Sequence, residues 1–145
     1  MARKWICNIG FFYILLQANS NIMAQHNELG KWGENMAAQY LIDKGYAIRH
    51  RDWKSGRRDI DIVAVTPDGS TLAFVEVKTR RDRLFSEPEQ AVDWRKIRSL
   101  TMAASAYVAR YALDLDLRFD IITVVGEGAT AEIDHIEGAF LPPRF

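Results

Sequence analysis

Apolar residues recur at two different spacings along the chain, and each change of spacing predicts a change of element. Steps of three and four residues between Asn27 and Lys44 predict an amphipathic helix that ends at Gly45. The same spacing predicts a second helix from Ser86, where S-E-P-E is typical of a helix start, to about Tyr111. Apolar and β-branched runs predict the strands Tyr46 to Trp53, Asp59 to Thr66, Thr71 to Lys78, Leu117 to Val125 and a short last strand from Ile133 to Ile136. The order αβββαβ predicts an α/β fold, a mixed central sheet flanked by helices.

Two of these strands flank Pro67-Asp68-Gly69-Ser70, which is typical of a tight turn, so they predict a β-hairpin. A symmetric turn pairs apolar residues with apolar residues throughout: Ile60 with Val77, Ile62 with Val75, Ala64 with Ala73, Val63 with Phe74 and Val65 with Leu72. The same register places Asp61 opposite Glu76 and Asp59 opposite Lys78. Alternation along each strand then points these four side chains to one face.

Three acids beside the single ammonium of Lys78 would be unfavourable as a purely structural cluster, because like charges repel and burial penalises each ionised form. These acids are Asp61, Glu76 and Asp59. A divalent cation would resolve the repulsion, since Mg²⁺ and Mn²⁺ take hard oxygen ligands. Lys78 would then orient or deprotonate a water and offset charge on a phosphoryl group. The alternative is a set of edge-strand charges that face solvent, with Lys78 paired to Asp59.

These residues also carry a resemblance to a known family. Asp61 followed by Glu76-Val77-Lys78 resembles the D…(D/E)-x-K signature of the restriction-endonuclease-like nucleases. The longer run F-V-E-V-K-T-R, with Gly33-Glu34 before it and Arg118-Phe119-Asp120 after it, resembles the YraN-like family of that superfamily. The match covers about Met23 to Phe140. It implies a restriction-endonuclease-like αβββαβ core and a metal-dependent endonuclease that hydrolyses phosphodiester bonds.

The resemblance assigns roles to individual positions. The catalytic group would be Asp61, Glu76 and Lys78, and the ligands of Mg²⁺ or Mn²⁺ would be Asp61, Glu76, the Val77 carbonyl, Glu34 and Asp59. One position departs from the family, which usually reads Gly-Glu-Ile-Asp where this chain reads Arg58-Asp59-Ile60-Asp61. The shorter side chain of Asp59 puts a metal role for that position in doubt.

The expected partner is nucleic acid, with DNA favoured over RNA. Residues 49–98 contain 12 basic and 9 acidic side chains, whereas 99–145 contain 3 and 7, so the basic excess surrounds the carboxylates. On charge alone, a solvated surface of mixed charge is the alternative. The expected contacts are Arg80, Arg81, Arg83 and Lys96. Lys96 is included through the resemblance, and a solvated helix lysine is the alternative for it. Archaeal-type Holliday-junction resolvases share the motif layout, which suggests branched DNA by analogy. The alternative is a non-catalytic nucleic-acid-binding protein with the same fold. The sequence leaves the oligomeric state open, a homodimer included.

Composition is that of an ordinary globular domain, with 48% apolar and 26% charged residues and zero net charge. The single cysteine, Cys7, excludes an internal disulfide and a cysteine-based zinc site. Arg118 and Asp120, two residues apart on a predicted strand, most simply form a structural ion pair.

The first 22 residues differ from the rest of the chain. Arg3-Lys4 and an apolar run from Trp5 to Leu16 resemble a signal peptide, but the run is too short to span a bilayer. A start codon assigned too early is the favoured explanation, because Met23 looks like a natural beginning for the family. We therefore expect an N-terminal extension over 1–22, one domain over 23–141 and a tail over 142–145. The expected location is the cytoplasm, with export as the alternative if the signal is genuine.

Overall fold

The computed structural model describes residues 9–82 and 93–142, with side chains described from Ser20 onward. The elements are α1 (Ile9–Asp43), β1 (Ala47–Ser55), β2 (Arg58–Val65), β3 (Thr71–Arg80), α2 (Trp94–Tyr111), β4 (Asp116–Val125), a 3-10 turn (Gly128–Thr130) and β5 (Glu132–Ile136). Within the described ranges this order matches the predicted αβββαβ core, followed by one short strand.

The strands form a single sheet in the order β1-β2-β3-β4-β5. Neighbouring strands are antiparallel except β3 and β4, which run parallel. Parallel strands need a long crossover connection, and α2 lies in this one. The mixed sheet predicted from the sequence is therefore confirmed.

The two helices cover opposite faces of the sheet. On the α1 face the buried residues are Ala37, Ala38, Leu41, Tyr46, Ile62, Ala64, Ala73, Val75, Ile122 and Val124. On the α2 face they are Trp53, Ile60, Val63, Leu72, Phe74, Leu100, Ala103, Ala104, Tyr107 and Phe119. Because both faces are covered, the central strands are apolar on both sides, as the sequence indicated.

The hairpin register is confirmed over most of its length. Ile62 pairs with Val75, Val63 with Phe74, Ala64 with Ala73 and Val65 with Leu72. The predicted pairing of Ile60 with Val77 is wrong, because Ile60 packs on the α2 face and Val77 packs against the α1 face. The regular ladder ends where β2 reaches Asp61.

The first helix is longer than predicted, since it begins at Ile9 rather than near Asn27. The sequence from Phe11 to Leu29 contains no glycine or proline, so nothing in it ends a helix early. Side chains from Ser20 to Glu28 are exposed, and the burial of α1 begins at Leu29. The proposed domain boundary after residue 22 thus falls inside one helix and stays a prediction. Among the described residues, no helix combines the length and apolar character needed to cross a membrane.

The second helix is shorter than predicted. It begins at Trp94, and the Asp93 carboxylate accepts a hydrogen bond of 3.2 Å from the Arg95 amide as an N-cap. The predicted start at Ser86 lies outside the described residues. At the other end the helix stops at Tyr111, as expected, and Ala112 adopts a left-handed conformation with φ 48°.

Candidate active site

The site lies where β2 separates from β3. The Val77 amide donates a 2.7 Å hydrogen bond to Asp61 Oδ2, so a side chain takes the place of a backbone acceptor. Ile60 and Ile62, two residues apart, consequently pack on opposite faces of the sheet. The neighbouring strand β1 changes face at the same level, where Asp52 has a left-handed φ of 47°. Regular pairing of β2 with β3 stops beyond Ile62 and Val75, and Asp61 lies at this gap in the ladder, bonded to the Val77 amide.

Glu76 is the buried acid of the site, with 5% of its surface exposed. Lys78 Nζ lies 2.9 Å from Glu76 Oε1, and Lys96 Nζ lies 3.1 Å from Glu76 Oε2. The approach of Lys96 lacks the angle of a hydrogen bond, so within the described residues Oε2 is a buried acceptor without one. A buried carboxylate oxygen with only a charge contact is suited to bind a further cation.

Asp61 is the acid whose titration is most changed by the fold. Burial first, and then the neighbouring charge of Glu76, raise the pKa of Asp61 from 3.8 to about 7. The Val77 amide and Lys96 favour the ionised form but do not outweigh these effects. A bound cation would therefore favour the ionised form of Asp61, which burial and the charge of Glu76 disfavour.

Asp59 differs from its expected placement. It was predicted opposite Lys78, whereas Lys78 pairs with Glu76 and Asp59 Oδ1 lies 3.8 Å from Lys96 Nζ. The Asp59 side chain is 51% exposed, so it lies at the rim of the site. The alternative in which Lys78 simply pairs with Asp59 is therefore wrong.

Lys96 reaches the same acids from α2. Burial disfavours its charged form, but the charge of Glu76, and after it that of Asp59, outweighs burial and raises the pKa of Lys96. Sequence reasoning placed Lys96 among the nucleic-acid contacts and missed its contact with Glu76. No sequence signal gives that contact, because it depends on how α2 crosses the sheet.

Glu34 lies on α1, which packs on the opposite face of the sheet from α2. The preceding residue, Gly33, is buried against Thr79 of β3, so α1 lies close to the sheet here. Burial raises the pKa of Glu34, and the nearby carboxylates, Asp52 foremost, add to the shift. The predicted position of Glu34 beside the other acids is thus consistent with its electrostatic environment.

The residues present fit a divalent cation held partly by solvent and substrate. Within the described part of the chain, no three acidic, histidine or cysteine side chains converge as a complete metal cage. Mg²⁺ is commonly held by only one or two carboxylates, with water and phosphate oxygens as the other ligands. Asp61 and Glu76 supply such a pair, with Oε2 of Glu76 lacking a hydrogen bond. A role for the Val77 carbonyl stays a prediction, because it is the Val77 amide that contacts Asp61.

The predicted nucleic-acid contacts lie just beyond the acids. Arg80 ends β3, and Arg81 follows it with an exposed side chain whose Nε lies 3.4 Å from Glu127 Oε1. Arg83 lies outside the described residues. Arg81 and Glu127 also line a cleft of about 290 Å³ against α1, with Gln25, Glu28, Leu29, Trp32 and Gly128. Arg81 is therefore accessible, although an acidic neighbour partly neutralises it.

Sequence comparisons place this geometry in a family. The family model described as "Uncharacterised protein family UPF0102" matches residues 33–124. A UPF0102 protein of Bacteroides thetaiotaomicron is 53% identical over 123 residues, which cover 85% of this chain and 100% of that protein. UPF0102 proteins of Phocaeicola vulgatus and Flavobacterium psychrophilum are 52% and 42% identical, over 83% and 81% of this chain and 98% of each relative. The chain belongs to the UPF0102 family.

The UPF0102 match contains the whole carboxylate site. Its first residue is Gly33, next to Glu34, and the acids of β2 and β3 and Lys96 all lie inside residues 33–124. The long N-terminal part of α1 lies outside the matched residues. The site thus belongs to the part of the chain that the UPF0102 model describes.

A second charged cluster in the UPF0102 domain is structural. The Asp120 side chain is fully buried and accepts hydrogen bonds of 2.8 Å from Arg118 Nε and Nη2 and 3.0 Å from the Gly138 amide. His135 Nε2 lies 2.9 Å from the same carboxylate, and Tyr46 accepts a 2.8 Å bond from Arg118. The predicted Arg118–Asp120 ion pair is confirmed. No pattern in the sequence indicated the contact of His135, which lies on β5.

Proposed function

We propose that this chain is a metal-dependent nucleic-acid phosphodiesterase of the restriction-endonuclease-like superfamily, in its YraN-like branch. The observation that carries the proposal is the buried Glu76 beside Asp61 at the gap between β2 and β3, with Lys78 against one oxygen of Glu76. Acids that repel one another inside a fold are costly unless a cation joins them. In an endonuclease site, the bound divalent cation would offset this repulsion.

Each side chain has a separate task in the proposed reaction. Asp61 and Glu76 would hold the Mg²⁺ or Mn²⁺ ion, which supplies Lewis-acid stabilisation of the phosphoryl group. Lys78 has its ammonium 2.9 Å from Glu76, and 49% of its side chain is exposed, so it can contact both an attacking water and a phosphate oxygen. Glu34, held from α1, would add negative charge to the shell around the ion. The Val77 amide holds the Asp61 side chain through Oδ2, which leaves Oδ1 as the oxygen that would ligate the ion.

The proposed substrate is nucleic acid, with DNA favoured. Arg80 and Arg81 continue the strand that carries Glu76 and Lys78, so a phosphate backbone over the acids would also meet these guanidinium groups. Branched DNA is the suggested substrate by analogy. The expected location is the cytoplasm.

A cleavage panel tests the proposal. Duplex, single-stranded, flap and four-way DNA, together with matched RNA, would be incubated with purified protein in Mg²⁺, Mn²⁺ or EDTA. We expect cleavage in either metal and none in EDTA. Asp61→Asn keeps the acceptor for the Val77 amide while removing the charge, so it should fold and be inactive.

The panel also separates the proposal from its main alternative. A non-catalytic nucleic-acid-binding protein would bind these substrates equally well in EDTA and leave them intact. Asp61→Asn would then bind like wild type. That pair of results would replace the nuclease by a binding protein of the same fold.

A further inference from the structure

The contact of Lys96 with two carboxylates is unusual for a residue assigned only to substrate binding. Its Nζ lies 3.1 Å from Glu76 Oε2 and 3.8 Å from Asp59 Oδ1. The Lys96 side chain is 31% exposed, so its ammonium is held inside the site rather than in open solvent. Lys96 thus joins a buried acid to an acid at the rim.

The oxygen that Lys96 meets is the one best suited to a metal. Glu76 Oε1 is already 2.9 Å from Lys78, whereas Oε2 has a charge contact with Lys96 and no hydrogen bond. An ammonium group and a divalent cation cannot share one oxygen at contact distance without strong repulsion. A cation at Oε2 would therefore disfavour the contact with Lys96, and Lys96 at Oε2 would disfavour the cation.

Asp59 is placed to receive the displaced lysine. It is half exposed and shorter by one methylene than the glutamate that the YraN-like family usually carries there. Lys96 needs only to move away from Glu76 to be left with Asp59 as its carboxylate partner. Asp59 would then need no contact with the metal.

We propose that Lys96 and the divalent cation compete for Glu76, and that Asp59 holds Lys96 when the cation is bound instead of ligating the cation. This inference rests on the proposed function. It assigns Asp59 and Lys96 a positioning role. It also couples metal to substrate, because a released Lys96 at the rim can contact a phosphate of the nucleic acid.

A titration with Mn²⁺ alone, followed by calorimetry or Mn²⁺ paramagnetic resonance, tests the competition without cleavage. The variants are Lys96→Met, Asp59→Asn and the double variant, with circular dichroism as a check of folding. Lys96→Gln, which retains a polar end, is a second variant if the methionine disturbs packing. Lys44→Met is the matched control, because it removes the same charge from an exposed lysine at the C-terminal end of α1, where Gly45 lies against Pro67 of the hairpin turn.

Lys96→Met or Lys96→Gln should bind Mn²⁺ about tenfold more tightly than wild type, whereas Lys44→Met should change little. Asp59→Asn should weaken Mn²⁺ binding when Lys96 is present and have no effect in the Lys96→Met background. DNA binding in Ca²⁺ should fall in Lys96→Met. These results together would support the inference.

Two results would overturn it while leaving the nuclease proposal intact. Equal weakening by Asp59→Asn in both backgrounds would make Asp59 a direct ligand. If the Lys96 variants bind Mn²⁺ no more tightly than Lys44→Met does, Lys96 does not compete with the cation. A wild-type protein that binds no Mn²⁺ at millimolar concentration is a different outcome, which would overturn the proposed function together with this inference.

Discussion

Gly33 of α1 lies directly against Thr79 of β3: a Cβ at Gly33 would be 2.8 Å from Thr79 Cγ2 and 2.9 Å from Thr79 Cβ. Real Cβ atoms are not found so close to a neighbour, so only glycine allows the helix to approach the strand at this level. The next residue is Glu34. The close contact therefore sets the distance between Glu34 and the acids of the sheet.

Gly33→Ala should destabilise the protein by about 1–3 kcal/mol, since the added methyl overlaps a short, branched side chain that cannot easily move. Gly30→Ala is the matched control in the same helix. Its Cβ would meet nothing within 4 Å, and alanine favours helix, so it should stabilise by about 0.5–1 kcal/mol. Urea denaturation measures both. Similar effects of the two substitutions would mean that α1 does not press on β3.

Much of the fold followed from local sequence pattern. The pairing of Ile62 with Val75 was predictable because only one register buries apolar residues on both sides of both strands. The Arg118–Asp120 pair was predictable because residues two apart on a strand share a face.

The errors arose where long-range contacts override local pattern. The Asp61 carboxylate accepts a hydrogen bond from the Val77 amide, and the backbone ladder between β2 and β3 ends there. Ile60 consequently packs on the α2 face. Alternation of apolar and polar residues cannot reveal that a side chain replaces a backbone acceptor. Lys96 meets Glu76 because α2 crosses the sheet at that level, and periodicity gives a helix but not its position. These two contacts define the site more closely than the motif did.

Asp61→Asn should make the metal-free protein more stable at pH 8 than wild type. The pKa of Asp61 is about 7 in the folded protein, above the 3.8 of a free carboxyl. The stabilisation by the protonated Asp61 is therefore complete below about pH 4 and is lost as the pH rises through 7. In EDTA, wild type should therefore lose more than about 1 kcal/mol relative to the variant between pH 5 and 8. Denaturation at both pH values measures the difference.

Asp68→Asn is the control of opposite sign. The hydroxyl of Thr66 and the amide and hydroxyl of Ser70 lower the pKa of Asp68 to about 2. Neither its folded nor its unfolded pKa lies between pH 5 and 8, so its effect should not change across that range. A flat difference for Asp61→Asn as well would show that Asp61 is ionised throughout.

Asp120→Asn should destabilise the protein by about 3–5 kcal/mol at pH 7, because Arg118 and His135 lose a buried charged partner. Burial opposes ionisation, but hydrogen bonds from His135, Arg118 and Gly138 outweigh it and lower the pKa of Asp120. This stability is present above the unfolded pKa and is lost as pH falls through the folded one. The difference in the free energy of unfolding between wild type and Asp120→Asn should thus decrease below about pH 4.

Glu137→Gln supplies the comparison within the same network. Its carboxylate lies 3.2 Å from Arg118 Nη1, but the side chain is 55% exposed, so its loss should cost less than about 1 kcal/mol. Thermal melts across pH measure both variants. Equal costs would show that burial does not set the strength of these pairs.

Replacing Arg80 and Arg81 together with alanine should weaken DNA binding and lower the slope of log affinity against log salt by about 0.9 for each lost phosphate contact. Glu127→Gln should act in the opposite direction, since it frees the Arg81 guanidinium from an acid 3.4 Å away. Arg110→Ala, an exposed arginine in the last turn of α2, is the control. An unchanged slope in the double variant would move the binding surface elsewhere.

Glu76 and Lys78 share an ion pair of 2.9 Å but should fail in different ways when replaced. Glu76→Gln removes the buried negative charge, so cleavage and Mn²⁺ affinity should fall together, the latter by at least about tenfold. Lys78→Ala should abolish cleavage while Mn²⁺ stays bound, and more tightly, because a positive neighbour of the ligand is gone. Cleavage assays and Mn²⁺ titration on the same preparations separate the two losses. Two results would contradict this prediction: normal cleavage by both variants, or an unaltered Mn²⁺ affinity of Glu76→Gln. Either result would mean that the acids form a structural ion-pair network with Lys78 and Lys96 and have no catalytic role.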